Sequence, residues 1–151
     1  MNRSEFLGAA LLAPLLLANA PVEAASHSQT LDEFIDLFYR QKRVREAFEK
    51  NVAAEYIQHS AGMAQGREAA IAVLEPMFAR ENFRTEPVRV LRSTDLLVVI
   101  LDVRVGDTVR AMVIDVFRHA RGKILEHWDV KLDIPAAQRE SYFDGMRVER
   151  R

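Results

Sequence analysis

The chain predicts an α+β domain in which two or three helices pack on one face of a curved, mostly antiparallel sheet. Three observations carry that prediction. Apolar residues recur at helical spacing only between about residues 30 and 80. From about residue 86 the pattern changes to β-rich runs separated by short turn sequences, with no helical stretch between them, so the strands are most simply antiparallel neighbours. A length of 151 residues, with 49% hydrophobic and 28% charged content, suits one soluble domain with a core of its own.

The amino terminus is made of different material. The apolar run FLGAALLAPLLLANA (6–20) follows Arg3 and the free amino group. At about 1.5 Å rise per residue it is too short to cross a ~30 Å hydrocarbon core comfortably. Val22 and Ala24 supply the small residues of a peptidase site, so 1–24 is expected to be a cleaved secretory signal. The expected mature domain runs over 25–151 and is periplasmic or secreted, with no stable insertion in the membrane. Loss of Arg3, Glu5 and Glu23 takes the net charge from −1 to 0.

Thr30-Leu31-Asp32-Glu33 has the form of a capping box, and Leu31, Phe34, Ile35 and Phe38 continue at helical spacing, which predicts a helix over about 30–40. VREAFEKNV places Val44, Ala47 and Phe48 on one face of a second helix. AEYIQHSAGMAQG (54–66) loses periodicity and reads as a turn and a loop. REAAIAVLEPMFAR returns to helix, with Ala70, Val73, Leu74, Met77 and Phe78 inward and a kink or tightening at Pro76. PVRVLR, LLVVILDVRV, VRAMVIDVFR and KILEHWDVKL then read as four strands, and Tyr142, Phe143 and Met146 as the docking part of a charged tail.

The last two strands carry the chemistry. HARGK suits a three-residue hairpin loop with Gly122 left-handed, so that Phe117 faces Leu125, Asp115 faces His127 and Val113 faces Asp129. Opposite residues project to one face. Asp115, His127 and Asp129 then share a face with Phe117, Leu125 and Val113, which is the composition of a small-molecule pocket wall. Ile114, Val116, Ile124 and Trp128 share the other face with an Arg118–Glu126 ion pair. A carboxylate beside an imidazole in apolar surroundings can move protons near neutral pH, with Asp115 orienting His127 and leaving Asp129 or the other ring nitrogen to meet a substrate.

Other chemistries are disfavoured. With 21 Lys+Arg against 22 Asp+Glu there is no basic field for nucleic acid, and the absence of Cys excludes disulfides and thiolate chemistry. His59, Asp115, His127 and Asp129 could form a metal set by type, but no H-x-x-x-H or H-x-H spacing organises them, so no metal is expected.

Two segments resemble a known family. YIQHSAGMAQGREA (56–69) is similar to the Y-I-Q-H-N-P…G-[RK]-E segment of SnoaL-like polyketide cyclases, and VIDVFRHARGKILEHWDV (113–130) resembles their last hairpin, with similar residue order over roughly 30–132. The resemblance implies the NTF2-like fold, a cone of three helices against a strongly curved mixed sheet with a central pocket. It also implies homodimers through the outer sheet face. Characterised cyclases of the family close a ring by intramolecular aldol condensation without metal or organic cofactor, and their acid/base aspartate corresponds to Asp129. Polar partners map onto His59 and Asp115, while His127 and Arg118 belong to the same hairpin motif and Tyr56 to the loop. His127 is expected to join the catalytic set, and Tyr56, Arg118 and the hairpin-face residues Phe117 and Leu125 to meet the substrate.

Two positions depart from the family pattern. Ser60-Ala61 stand where Asn-Pro is usual, and Ile100 stands where relatives often carry a His, so a less polar pocket is expected. The expected function is acid/base chemistry, of aldol or isomerase type, on a small hydrophobic carbonyl compound. A non-catalytic periplasmic binding or assembly module is the alternative, since a shared fold does not fix a reaction.

Overall fold

The computed structural model describes residues 29–147, so the expected signal segment, 1–24, lies outside the described residues. Among the described residues no helix is long and apolar enough to cross a membrane. Helix α1 is α-helical over 29–35 and ends in one π-helical turn, Asp36–Arg40. Residue 29 is already helical, so Thr30 stands inside the helix and the expected capping box does not mark its start. In the wide last turn the Gln41 N–H donates to the Asp36 carbonyl, and three consecutive residues, Leu37, Phe38 and Tyr39, are buried. An ordinary α-turn would spread three neighbours over most of the circumference.

Helix α2, Val44–Asn51, buries Val44, Ala47 and Phe48 as its spacing predicts. The following segment departs from expectation. Val52–Gln58 is a strand, β1, with Val52, Tyr56 and Gln58 buried, whereas the sequence reading expected a turn and loop over 54–66. Helix α3, Arg67–Phe78, starts after Gly66, whose φ of 92° favours glycine, and runs through Pro76 to its end. Ala70, Ile71 and Phe78 are buried; Val73, expected inward, is 46% exposed.

Strand β2 (Phe83–Arg92) starts four residues ahead of its predicted run PVRVLR, and strands β3 (Leu96–Val105), β4 (Val109–Ala120) and β5 (Lys123–Asp133) follow the predicted runs. The sheet order is β1-β5-β4-β3-β2, with β1 parallel to β5 and the other pairs antiparallel. Irregularities in β1, β2 and β5 bend the sheet around the helices. Against its inner face pack rings from α1 (Phe34, Phe38), α2 (Phe48) and α3 (Phe78), with Phe34 edge-on to Phe117 at 5.3 Å and Phe38 stacked on Phe78 at 4.6 Å. Each such buried ring contributes about 1.5–3 kcal/mol over an exposed one.

The β4–β5 register also departs from expectation. Arg121 (φ 50°) and Gly122 (φ 70°) are both left-handed, forming a two-residue turn that pairs Ala120 with Lys123. One extra residue at Leu125 then shifts the pairing again, so Phe117 faces His127 and Asp115 faces Asp129. The two shifts cancel in parity beyond the bulge. Asp115, His127 and Asp129 therefore keep a common inner face, while Ile124, before the bulge, turns into the core instead of outward.

The tail docks as predicted. Phe143, Tyr142 and Met146 form a second cluster with Val88, Ile134 and Met112. Beneath it the carboxylate of Asp102 is fully buried and receives bonds from Arg110, Arg104 and Arg147. Burial pushes that carboxyl up, but the bonds from Arg110 and Arg104 outweigh the effect and hold it below its usual range.

Candidate active site

A cavity of about 370 Å³ opens between the helices and the inner face of the sheet, within the size range of small-molecule sites. Its walls are apolar: Phe38, Phe48 and Phe78 on the helix side, and Leu101, Val103 and Phe117 on the sheet. Its polar groups are supplied by Tyr39, Thr85 of β2, β1, the loop after β1, and the inner faces of β4 and β5.

Asp115 and Asp129 face each other across β4 and β5. Two opposed carboxylates repel, so each needs donors. Asp115 is buried between a phenol and an imidazole. The Tyr39 hydroxyl donates to Oδ2 at 2.5 Å, and His127 Nε2 lies 3.1 Å from Oδ1. Asp129 is exposed and accepts from the Ser60 hydroxyl. Desolvation first, and then the negative charge of Asp115, holds the Tyr39 phenol well above its ordinary pKa, so it stays a donor.

His127 is fixed on three sides. Its ring stacks on Phe117 at 4.6 Å, Nε2 meets Asp115, and Nδ1 lies 2.9 Å from Gln58 Oε1. Gln58 reaches it because β1 runs parallel to β5 with Gln58 opposite His127. Gln65 in turn clamps the Gln58 backbone, accepting from its N–H at 3.0 Å and donating to its carbonyl at 2.6 Å.

Five of the eight residues expected at the site line this cavity: Asp129, Asp115, His127, Tyr56 and Phe117. Three do not. His59 follows Gln58 and turns to the opposite side of the sheet, where it stacks on Trp128 at 4.5 Å and approaches Glu126 at 3.0 Å. Arg118 is on that outer side as well, bonded to Glu126, and with His59 it holds the Glu126 carboxyl below its ordinary pKa. Leu125 is the bulged residue and does not border the cavity. Ile100 pairs with Ile114 on the outer face, so the side chain at that position does not alter the polarity of the pocket.

The sequence reading missed Tyr39 and Gln58 as members of the site. The signal for Tyr39 was present, as three large apolar residues, Leu37-Phe38-Tyr39, in a row at a helix end. Gln58 carried no comparable signal, because Tyr56 and Ile57 are both apolar and no apolar/polar alternation marks the strand. Among the described residues, no group of three or more His, Asp or Glu side chains is arranged to hold a metal ion.

The fold has clear relatives. A wild-type putative polyketide cyclase from Streptomyces antibioticus, IdmH, superposes with a TM-score of 0.56 at 19% identity, over 70% of this chain and 91% of its own. An NTF2-like protein of unknown function from Mesorhizobium loti gives 0.62 at 16% identity, over 73% and 93%. AclR, a putative hydroxylase from Streptomyces galilaeus, gives 0.56 at 16% identity, over 72% and 90%. No curated protein matches the chain. At these identities the structures establish the NTF2-like fold and nothing finer. The SnoaL-like domain profile matches residues 31–127, which is most of the described chain, and the protein therefore belongs to the SnoaL-like domain family.

Proposed function

We propose that the protein is a cofactor-independent acid/base enzyme acting on a small, largely apolar carbonyl compound, with Asp129 as the proton-transfer group. The observation that carries this reading is the placement of Asp129 at the polar part of an apolar cavity, opposite the Asp115–His127 pair. Asp129 takes a proton from the carbon next to the carbonyl, and the electron pair moves onto oxygen as an enolate. The enolate carbon then attacks a second carbonyl, whose oxygen takes the proton back from Asp129, as in an aldol closure; or, where a C=C bond is conjugated with the enolate, Asp129 returns the proton to the far carbon of that bond, as in an isomerisation. The fold neighbours described as polyketide cyclases support this class of chemistry. The test is deuterium uptake at the α-carbon of aryl methyl ketones in D₂O. Asp129→Asn is expected to slow it by about 10²–10⁴, and a folded variant with undiminished exchange would sink the assignment.

One observation favours a second reading, a non-catalytic periplasmic module that holds a ligand in the same cavity. Both oxygens of Asp115 and one of Asp129 are already engaged, by Tyr39, His127 and Ser60. Native mass spectrometry on protein purified from its own host separates the two: an unaltered copurifying ligand supports binding, and chemically changed ketones support catalysis. Both readings include export by segment 1–24. Both also include a homodimer through the outer sheet face, where Trp128, Val130 and Leu91 are exposed beside half-buried Ile114 and Val116.

A further inference from the structure

The hydrogens at the polar part of the cavity can be assigned one by one. The Ser60 backbone N–H can only donate, and it lies 3.1 Å from one end of the Gln58 amide, so that end is the oxygen, Oε1. His127 Nδ1, 2.9 Å from the same oxygen, must then carry a hydrogen and donate it. Its other nitrogen is engaged with Asp115. Both ring nitrogens of His127 are thus committed within the protein, and the Tyr39 hydrogen is committed to Asp115. The Ser60 hydroxyl lies near both Gln58 Oε1 and Asp129 Oδ1, and its one hydrogen goes to the charged acceptor.

Tyr56 is different. Fixing the Gln58 oxygen turns the amide nitrogen toward Tyr56, whose hydroxyl oxygen accepts from Nε2 at 3.3 Å. Among the described residues nothing accepts the hydrogen of Tyr56 itself. The side chain is only 2% exposed, yet it borders the cavity. A buried donor without an acceptor, in the wall of a pocket, is a place for a ligand acceptor. Burial, then the charges of Asp115 and Asp129, raises its pKa, so it does not ionise in preference to donating.

We infer that Tyr56 donates its hydroxyl hydrogen to the substrate's carbonyl oxygen, and that Gln58 is the positioning residue that aims it. As Asp129 removes the α-proton, negative charge gathers on that oxygen and the Tyr56 bond strengthens. His127 does not touch the substrate oxygen; it acts by holding the Gln58 amide in this orientation. The site then recognises a single acceptor oxygen on an otherwise apolar molecule. This inference rests on the carbonyl-compound reading above.

The experiment uses acetophenone labelled with ¹³C at its carbonyl, bound to the full chain and followed by NMR. Hydrogen bonding to a carbonyl moves its resonance downfield. The wild type is expected to show that movement, and Tyr56→Phe to lose most of it while binding roughly two- to tenfold more weakly. Tyr39→Phe is expected to keep it, because the Tyr39 hydrogen is already committed. Gln58→Glu puts an acceptor beside Tyr56, captures its hydrogen, and is expected to abolish the movement with Tyr56 still present. A full downfield movement in Tyr56→Phe, or equal losses in the Tyr39 and Tyr56 variants, overturns the assignment to Tyr56 alone. Failure of the wild type to bind acetophenone or larger aryl ketones overturns the carbonyl-compound reading itself.

Discussion

The two faces of β5 hold the same kinds of residue and do different things with them. Inward, His127 and Asp129 stand with Asp115, Gln58 and Tyr39 around a cavity. Outward, Glu126 stands with Arg118 and His59, the latter stacked on Trp128. Each face has a carboxylate, an imidazole and an aromatic ring. Only the inner set is joined to an apolar cavity by buried side chains, with His127 about 9% exposed and Asp115 about 7%. The outer set has 38% of the Arg118 and His59 side chains in solvent, where ion pairs are weak and screened. Composition of a motif therefore does not identify a site. The face to which each residue is committed does.

The largest effect on stability should separate adjacent residues of β4. Phe117→Ala, on the inner face, is expected to cost about 3–5 kcal/mol in denaturant unfolding, because the ring packs between Phe34 and His127. Val116→Ala, on the outer face and half-buried, is expected to cost about 1 kcal/mol. Equal losses would mean that the outer face is buried in solution, as a homodimer would bury it.

Asp102 sharpens the comparison from the other end, as a charge on the outer side sealed under the tail. Its folded pKa is depressed, so its contribution is complete above the unfolded value of about 3.9 and is lost as pH falls through the lower folded value. Removing the charge while Arg110 stays buried is expected to cost about 3 kcal/mol at neutral pH, and Asp102→Asn should flatten the acid limb of the stability profile below about pH 4. An unchanged acid limb would show that the cluster does not hold the tail.

The fold was legible because four of its five strands and two of its helices follow clean periods. Strand β1 was not, since Ala53, Ala54 and Glu55 interrupt its alternation and its pairing partner lies some 70 residues away in sequence. The inner face of the last hairpin was assigned correctly through two errors that cancel: the turn has two residues rather than three, and Leu125 adds the missing one. Parity survived and pairing did not. For that reason Asp115 was placed with His127 and Asp129, yet Leu125 and Ile124 were put on the wrong sides. His59 was misplaced for a related reason: with β1 unrecognised, nothing in the sequence distinguished its side of the chain from that of Gln58.

The smallest effect is expected for that residue. His59→Ala should change ketone exchange by about twofold or less, as for a surface substitution, and a large loss would return His59 to the site. The comparison of faces comes to its sharpest point in two carboxylates three positions apart on β5. Deuterium uptake at the α-carbon of an aryl methyl ketone, measured side by side for the wild type, Asp129→Asn and Glu126→Gln, tests it directly. The account predicts uptake by the wild type, a fall of about 10²-fold or more in Asp129→Asn, and a change within about twofold in Glu126→Gln. Equal losses in the two variants, or a loss confined to Glu126→Gln, would contradict it.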